Sequence, residues 1–577
     1  MTARLAAFLA PHSVALVGCP SDLSRPGARV LVFLQKHAYS GRIYPVNPRH
    51  GTIGGLAAYP TLADLPERPD VVWVGVPGVE VEAVLTEAAQ LKIPGAVILT
   101  AGFGETDAAG RKREETLRRI ADEAGMTVLG PNMLGFINCW DRVPLTFSPA
   151  GGLDRLIPGA LGVASQSGAL GGVVVNRAFD RQIGVSAMIS TGNELGVTVS
   201  ECLEYFADDP RTRAVALVAE GIRDGERFKG AAARLLDAGK ALVALKLGRS
   251  STGRRNALTH TGALAGSHDA FRAVARQLGI VEAETFEELV EIGGFLSREQ
   301  RAPTRGIGVL TTSGGASIMT ADHLETRGFR LPRLAGTTVA ALGRILPEYA
   351  RTRDNPVDVT AGLSETLFEQ ALATLVGDPG IDAVVTSVTG ARGVERAENV
   401  ARVARAAAKP VLVCWLGGSL TSEGIAVLDG HGVPCFVNPR TAALALTAAR
   451  DVSEARRRRR GAAARPGRQV AAPPGRLDYR GLSALARRAG VPLTPEALVA
   501  TPREAVRAAR RLGFPVALKV IADDLAHKTE AGAVAVDSRT LVPWSGRPAA
   551  CWPRRGGIAS RACSSSAWFA GSRSWRA

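Results

Sequence analysis

Ala160-Leu-Gly-Val-Ala-Ser-Gln-Ser-Gly168 and Gly306-Ile-Gly-Val-Leu-Thr-Thr-Ser-Gly-Gly315 have the same build. Each is a short apolar run that ends in a Ser-Gly turn and passes into small residues able to open a helix. An apolar strand of this length, bounded by glycine and followed by a helix, opens a βαβ unit. Further apolar runs follow at the spacing such units need: 184–193, 214–221 and 241–248 after the first stretch, and 382–390, 410–418 and 433–439 after the second. The pattern therefore restarts, and the two stretches are read as the first strands of two related α/β domains.

Upstream, apolar runs at 13–18, 42–47, 71–77, 95–102 and 127–132 each end at Gly, Pro or Asn, with helix-like stretches at 79–92 and 107–125 between them. Downstream, an Arg-, Ala- and Pro-rich stretch precedes a helix-like segment at 479–489 and the strand-like Gly513-Phe-Pro-Val-Ala-Leu-Lys-Val520. The expected division is 1–150, 155–300, 303–450, a solvated linker at 451–475, a fourth unit at 476–540, and a tail at 541–577. Strands alternating with helices predict parallel sheets, whose ligands bind at the carboxyl ends of the strands.

Of the 577 residues, 46% are hydrophobic and only 5% aromatic, so the cores must be built from Ala, Val, Leu and Ile, which suits sheets covered by helices. No apolar run reaches the ~20 residues that span a bilayer. The start, MTARLAAFLAPHSVALVG, lacks a small-residue cleavage site, so no signal peptide is expected. The 7 Cys are scattered with no CxxC, which argues against a disulfide framework or a structural zinc site and for a reducing cytoplasmic setting. The net charge of +16 is almost entirely C-terminal. Residues 1–450 carry 46 Lys+Arg against 45 Asp+Glu, and residues 451–577 carry 24 against 9. The body of the chain thus has no global attraction for nucleic acid or an anionic membrane. The run Arg456–Arg460 has no interleaved aromatics for base stacking and reads as part of the linker rather than as an RNA site. Leu541–Ala577 holds four of the 7 Trp, six Arg and no acid, without helical or strand periodicity. It is expected to be disordered, the product of a frameshift or truncated gene, with a genuine basic tail as the alternative.

The chemistry-bearing residues lie at strand exits. A Ser-Gly turn leading into a helix presents open backbone N–H groups, which makes Ser167 and Gly168, and Ser313, Gly314 and Gly315, candidate phosphate ligands. Small residues at such turns also simply permit close packing. His260 lies in Leu258-Thr-His-Thr-Gly-Ala-Leu-Ala-Gly-Ser267, where small neighbours leave an imidazole accessible as a phosphoryl nucleophile. A lone loop histidine is otherwise a surface residue. Glu220 ends an apolar strand and could fix the tautomer of a nearby histidine, or serve only as a charge at a helix start. In the first segment, Val17-Gly-Cys-Pro-Ser-Asp-Leu-Ser-Arg-Pro-Gly27 is a loose nucleotide-binding turn. Tyr44-Pro-Val-Asn-Pro48 lacks the acid that would hold a ribose, which argues against NAD.

Together these residues resemble the ADP-forming (NDP-forming) acyl-CoA synthetases, of which acetate–CoA ligase (ADP-forming) is the usual example and succinyl-CoA synthetase a relative. The resemblance covers about 10–450 and resumes at about 477–540. Its most specific piece is His260-Thr-Gly-Ala-Leu-Ala-Gly-Ser267, similar to the family's phosphohistidine loop; Glu220-Gly-Ile-Arg-Asp-Gly225 is similar to the strand exit whose Glu supports that histidine. Tyr44-Pro-Val-Asn-Pro48, Thr100-Ala-Gly-Phe-Gly-Glu105 and Gly130-Pro-Asn132 are similar to its CoA-binding domain, and Asn355-Pro-Val-Asp358 fits its third domain. The resemblance implies an α/β protein: a CoA-binding Rossmann-like domain, two flavodoxin-like succinyl-CoA-synthetase-type domains, and the start of an ATP-grasp unit. It implies the reaction acyl-CoA + ADP + phosphate ⇌ carboxylic acid + ATP + CoA, passing through an acyl phosphate and a phosphohistidine. His260 and Glu220 would be catalytic. Gly18, Asn47, Pro48, Val76, Pro77 and Asn132 would bind CoA, and Lys519 would contact the nucleotide.

Three departures from the family pattern qualify this. Met133 stands where a Cys is usual after Gly-Pro-Asn, and His268 follows Ser267 where an acid is usual. Phe514-Pro-Val-Ala-Leu-Lys519 and His527-Lys-Thr-Glu530 resemble the start of the ATP-grasp module, but the likeness stops near Asp537 and the acidic Mg2+ ligands are missing. The Mg·ATP site is therefore expected to be incomplete, and no metal-binding residue is named. Two readings follow: an acyl-CoA synthetase chain that needs an intact ATP-grasp partner subunit, or a CoA- or acyl-CoA-binding pseudoenzyme or gene remnant. Homo- or hetero-oligomers are expected, with no membrane and no nucleic acid partner. Nothing in the sequence selects the acid.

Overall fold

The molecule divides into two compact units, Met1–Gly461 and Ala462–Ala577. The structure is a computed structural model that describes residues 2–253, 255, 267–350, 354–390, 393–463, 478–521, 534–538 and 567–572. In the first unit three sheets follow one another along the chain. The first contains β1 (Ser13–Val17), β2 (Arg42–Val46), β5 (Val71–Val74), β6 (Gly95–Ile98) and β7 (Thr127–Leu129), all parallel, in the order β2-β1-β5-β6-β7. A small ribbon of β3 (Thr52–Ile53) and β4 (Leu56–Ala57) branches from it. Every residue of β1, β5 and β6 is buried, which is why these strands read as near-continuous apolar runs rather than as alternating patterns. The helix Ala108–Ala124 covers one flank; Asp107 caps it by accepting the Gly110 N–H at 2.7 Å, and Gly125 ends it in the left-handed region.

The second sheet runs β13-β12-β11-β9-β10-β8, with β9 (Pro158–Ser165), β10 (Val185–Ser190), β11 (Ala214–Ala219), β12 (Ala241–Lys246) and β13 (Val281–Glu282) parallel. Its last member, β8 (Phe136–Asn138), pairs antiparallel with β10. The sequence division assigns 136–138 to the first domain, so this is a difference. Three buried residues are too few to show a period, and their pairing is set by the neighbouring strand rather than by their own pattern. The third sheet, β15-β14-β16-β17-β18, is parallel throughout: β14 (Ile307–Thr311), β15 (Val357–Asp358), β16 (Ala383–Val388), β17 (Val411–Trp415) and β18 (Cys435–Phe436).

The second and third sheets share one core. Leu161 and Val163 of β9, Ile307 and Val309 of β14, and Val175, Leu289, Phe295, Leu446 and Ala449 from the helices between them form a single buried cluster. At this seam Arg181 donates from Nε to Asp429 at 3.0 Å and also pairs with Glu291 and the Cys435 carbonyl.

The expectation of a solvated linker from 451 onward is corrected. The helix Pro439–Ala463 continues through the arginine run, and Val452 and Ala455 are fully buried in the shared core. Apolar residues spaced three apart hold one face of this helix down, so the arginines are carried on a packed helix and not on a free chain.

In the second unit β19 (Glu496–Val499), β20 (Val516–Ile521), β21 (Val534–Ser538) and β22 (Ala567–Ser572) form an antiparallel sheet in the order β19-β22-β20-β21. The helix Pro502–Leu512 starts with a capping box between Thr501 and Glu504. The expectation that the whole tail lacks regular structure is corrected for Ala567–Ser572. This segment carries Trp and Phe, residues that favour strands, and it fills the slot between two strands whose backbone groups would otherwise lack partners. The rest of 541–577 lies outside the described residues.

Candidate active site at the strand exits

In each sheet of the first unit the chain leaves its first parallel strand toward one side and later returns on the other, and the crevice between these strands opens at their carboxyl ends. In the first sheet that crevice lies between β1 and β5. Gly18, at φ +84°, follows β1 and approaches the chain so closely that a Cβ there would lie 2.7 Å from the Gly75 carbonyl oxygen. Only glycine fits, and backbone lines the crevice. Asn47 donates from Nδ2 to the Cys19 carbonyl at 3.1 Å and accepts the Arg49 N–H at 2.9 Å, fixing the turn that contains Pro48. The Val76 carbonyl, just before Pro77, accepts from Thr100 Oγ1 at 2.6 Å, which ties the exit of β5 to that of β6. Burial pushes the Cys19 thiol up to about 11, so it stays protonated.

In the second sheet the crevice lies between β9 and β11. Ser167 stands at the N-cap of the helix Gly168–Asp180 without making a side-chain cap. Elsewhere in the unit Asp107, Thr198, Asp224, Thr285 and Ser364 cap their helices. The first N–H groups of this helix thus have no side-chain cap from Ser167. Gln166 reaches across to β11. Its Oε1 accepts the N–H groups of Glu220 (2.6 Å) and Gly221 (3.0 Å), and its Nε2 donates to the Gly221 carbonyl at 2.6 Å. Glu220 is 6% exposed. Lys246, at the end of β12, is buried and donates from Nζ to the Glu220 carbonyl at 2.6 Å. Burial holds the Lys246 amine below its ordinary range, with Glu220 opposing. The chain that leaves β12 toward position 260 therefore departs beside Glu220.

Between these exits the first two domains line an open cavity of about 390 Å³, with Thr100, Asn132 and Met133 on one side and Gln166, Ser167 and Gly168 on the other. Asn193, 1% exposed, also lines it and orients Asn132. Asn193 Nδ2 donates to Glu105 at 2.5 Å and to Glu114 at 2.9 Å. Two carboxylates only accept, so the Asn193 oxygen must face Asn132, whose Nδ2 donates to it at 3.2 Å. Burial works to raise the Glu105 carboxyl, but the bonds from Asn193, Gly102 and Phe103 prevail and hold it low. Met133 is buried, and its sulfur accepts the Gly135 N–H, so it shapes the cavity wall where a Cys was expected.

The structure thus brings Asn132, Ser167 and Gly168 to one cavity, with Glu220 tied to its wall by Gln166. Gly18, Asn47, Pro48, Val76 and Pro77 lie along the adjoining crevice of the first sheet. Ser313, Gly314 and Gly315 occupy the equivalent exit of the third sheet and do not line this cavity. His260 lies outside the described residues. His268, the nearby departure, lies 3.8 Å from Glu282. Lys519 belongs to the second unit, where its Nζ sits 5.7 Å from the Tyr479 ring centroid. Among the described residues no group of three or more His, Cys, Asp or Glu could hold a metal ion, and no helix is long and apolar enough to cross a membrane. Sequence reasoning gave no role to Gln166, Asn193 or Lys246. The signals were present: a polar residue inside the Ser-Gly turn, a Gly-Asn-Glu at the exit of β10, and a lysine ending an otherwise apolar strand.

These features define a CoA-binding α/β protein with succinyl-CoA-ligase-type domains. Family models match residues 12–138 (CoA binding domain), 158–296 (succinyl-CoA ligase like flavodoxin domain) and 471–541 (ATP-grasp domain). The chain is 32% identical over 445 residues to the acetate–CoA ligase [ADP-forming] II subunit alpha of Pyrococcus furiosus, covering 76% of this chain and 95% of that one. It is 33% identical over 553 residues to a trans-feruloyl-CoA synthase from an unknown prokaryotic organism, covering 92% of this chain and 77% of the synthase. Among solved structures it matches a dinucleotide forming acetyl-coenzyme A synthetase 1 of Ca. Korarchaeum cryptofilum, in complex with phosphate and ADP. The TM-score is 0.74 at 28% identity, over 80% of this chain and 99% of that one. The chain belongs to the family of ADP-forming acid–CoA ligases, of the acetate–CoA ligase type.

Proposed function

We propose that the first unit carries out the thioester half of ADP-forming acid–CoA ligation. Acyl-CoA occupies the first-sheet crevice, along Gly18, Asn47, Pro48, Val76 and Pro77, with its thioester in the cavity beside Asn132. Inorganic phosphate is held by the open N–H groups at Ser167 and Gly168. A phosphate oxygen attacks the thioester carbon, the C–S bond breaks, and CoA leaves as the thiol once protonated. The imidazole of His260 then attacks phosphorus, the bond from phosphorus to the acyl oxygen breaks, and the carboxylate leaves. Glu220 orients and charge-stabilises that imidazole, as carboxylate partners do for catalytic histidines. Ser313, Gly314 and Gly315 form the second anion-holding helix start.

The observation that carries this reading is the Gln166 tether: Gln166, in the Ser-Gly turn that lines the cavity together with the CoA-binding domain, holds the backbone at Glu220 and Gly221. Transfer from phosphohistidine to ADP belongs to an ATP-grasp site in which Lys519 contacts the nucleotide. That step is assigned to an intact ATP-grasp partner in a hetero- or homo-oligomeric cytoplasmic assembly. A second reading, an acyl-CoA-binding chain without net ligation, is favoured by the short ATP-grasp match at 471–541.

The test is labelling of the purified chain with radioactive inorganic phosphate and a panel of acyl-CoAs, without nucleotide. The expected result is an acid-labile, base-stable phosphoryl group that His260→Ala abolishes and Glu220→Gln strongly reduces. Binding of CoA with no label from any thioester would overturn the catalytic reading in favour of the second one.

A further inference from the structure

The five arginines Arg456–Arg460 are the prominent sequence feature that acid–CoA ligation leaves unused, and the structure accounts for most of them. Arg456 donates to Gln300 at 2.5 Å, Arg458 to the Arg276 carbonyl at 3.1 Å, and Arg459 makes a two-pronged pair with Asp237 at 2.8 and 2.6 Å. Arg457 is exposed and lines a separate cavity of about 280 Å³, where the helix Pro439–Ala463 meets residues 302–306 and 328–330. Arg305, Arg330 and Arg450 line the same cavity. Each of these three is held by one backbone carbonyl: Arg305 by Pro379 (3.0 Å), Arg330 by Arg305 (2.8 Å), and Arg450 by Arg327 (2.7 Å) while lying over the Phe329 ring. A guanidinium has five N–H donors, so these anchors fix position and leave donors for a ligand.

Among the described residues the one carboxylate lining the cavity is Glu454, which is paired with Arg458 at 3.7 Å. Asp382, behind Arg305, is occupied by the N–H groups of Thr304, Arg305 and Gly306. Asp451, 3.6 Å from Arg450, offsets part of that one charge. Four arginines from three chain segments therefore line one cavity with little neutralisation. Guanidinium forks match phosphate oxygens in geometry and charge. The volume lies at the low end of the ~300–1,000 Å³ typical of ligand pockets. It suits a short phosphate chain, not an entire nucleotide.

We propose that this cavity is a second anion site that binds a linear polyphosphate, separate from the turn at Ser167. The phosphate chain is either free tripolyphosphate or the tail of a nucleoside triphosphate whose base stays outside, and the test separates the two. The test is calorimetric titration of the full chain with tripolyphosphate at near-physiological salt, repeated with ATP. Arg330→Gln/Arg457→Gln, two exposed positions, is expected to weaken tripolyphosphate binding at least tenfold, whereas Lys519→Gln leaves it unchanged. Glu454→Gln removes the lining carboxylate and is expected to tighten binding, which keeps the test decisive if the double variant folds poorly. ATP binding that follows the same variants assigns the site to a nucleotide tail; tripolyphosphate binding alone assigns it to the free anion. No binding by the native chain, or loss only in Lys519→Gln, overturns the proposal. So does capture of an RNA oligomer by the native chain in the absence of tripolyphosphate binding.

Discussion

The turns at Ser165–Gly168 and Thr311–Gly314 are local copies of one another in different surroundings. Each follows the first parallel strand of its sheet, places a serine at the N-cap without a side-chain cap, and faces the strand that begins the other half of the sheet. In the first, Gln166 bonds three backbone groups of Glu220 and Gly221, and the loop at Asn132–Leu134 closes over the helix start. In the second, Thr312 occupies the position of Gln166; its hydroxyl meets Thr389 Oγ1 at 3.1 Å and accepts the Thr389 N–H at 3.0 Å, and Gly314 and Gly315 are exposed. The motif encodes an open helix start. What turns one copy into part of a cavity is the length of a single side chain and the presence of a neighbouring domain.

Gln166→Ala should separate the copies most sharply. Loss of the tether misplaces Glu220, and the rate of phosphate labelling should fall about 10–100-fold, by analogy with the loss when groups that orient metal-ligating side chains are removed. Thr312→Ala strands the Thr389 N–H and should cost about 1–3 kcal/mol of stability while leaving the labelling rate unchanged. Equal losses of rate in the two variants would mean that both turns serve the same phosphoryl group in one step. The glycines at the helix starts offer a second contrast, read by denaturant unfolding. A Cβ on Gly168 would lie 2.8 Å from the Leu134 backbone nitrogen, and on Gly314 no closer than 3.5 Å to Asp358. Gly168→Ala should therefore destabilise by about 1–3 kcal/mol. Gly314→Ala should be neutral or slightly stabilising, because alanine restricts the unfolded chain.

The sequence carried the similarity of these turns but not their difference. The strand runs, the restart of the pattern at 160 and 306, and the Ser-Gly exits were legible because they are short-range: buried parallel strands are continuous apolar runs, and helix starts need small or capping residues. Gln166 was visible as a letter, but its role depends on Glu220 lying across a crevice, a long-range contact that no local period reports. The antiparallel pairing of Phe136–Asn138 and the strand at Ala567–Ser572 were missed for the same reason. The arginine run was misread because composition signals solvation, while the decisive residues, Val452 and Ala455, are the apolar ones between the charges.

The far ends of the two helices differ as well. The helix from Gly168 is clamped at its C-cap by Arg181, which meets Asp429 and Glu291, whereas the helix from Gly314 ends at Thr326, which bonds only its own helix through the Asp322 and His323 carbonyls. Burial pushes the Asp429 carboxyl from 3.8 up to about 6, with Arg181 opposing. A carboxyl raised in the folded state keeps its proton where the unfolded chain has lost it. Its contribution to stability is therefore full below about pH 4 and is lost as pH rises through about 6. Relative to Asp429→Asn, the native chain should gain stability on acidification from about pH 7 to about pH 5, by at most about 1.4 kcal/mol per pH unit. Parallel pH profiles for the two proteins would show that the clamp does not titrate.

The smallest effect is expected at the fifth residue of each helix. In the first helix this is Gly172, where a Cβ would fall 2.1 Å from Ser148 Oγ; in the second it is Ile318, 66% exposed. The first position is covered because the chain from the CoA-binding domain folds over it, and the second is bare within this unit. An isoleucine so exposed contributes little burial, so Ile318→Asn should change the unfolding free energy of the chain by no more than about 0.5 kcal/mol. A larger loss would mean that the second turn is also covered within the chain, and the contrast between the two copies would then lie in Gln166 alone.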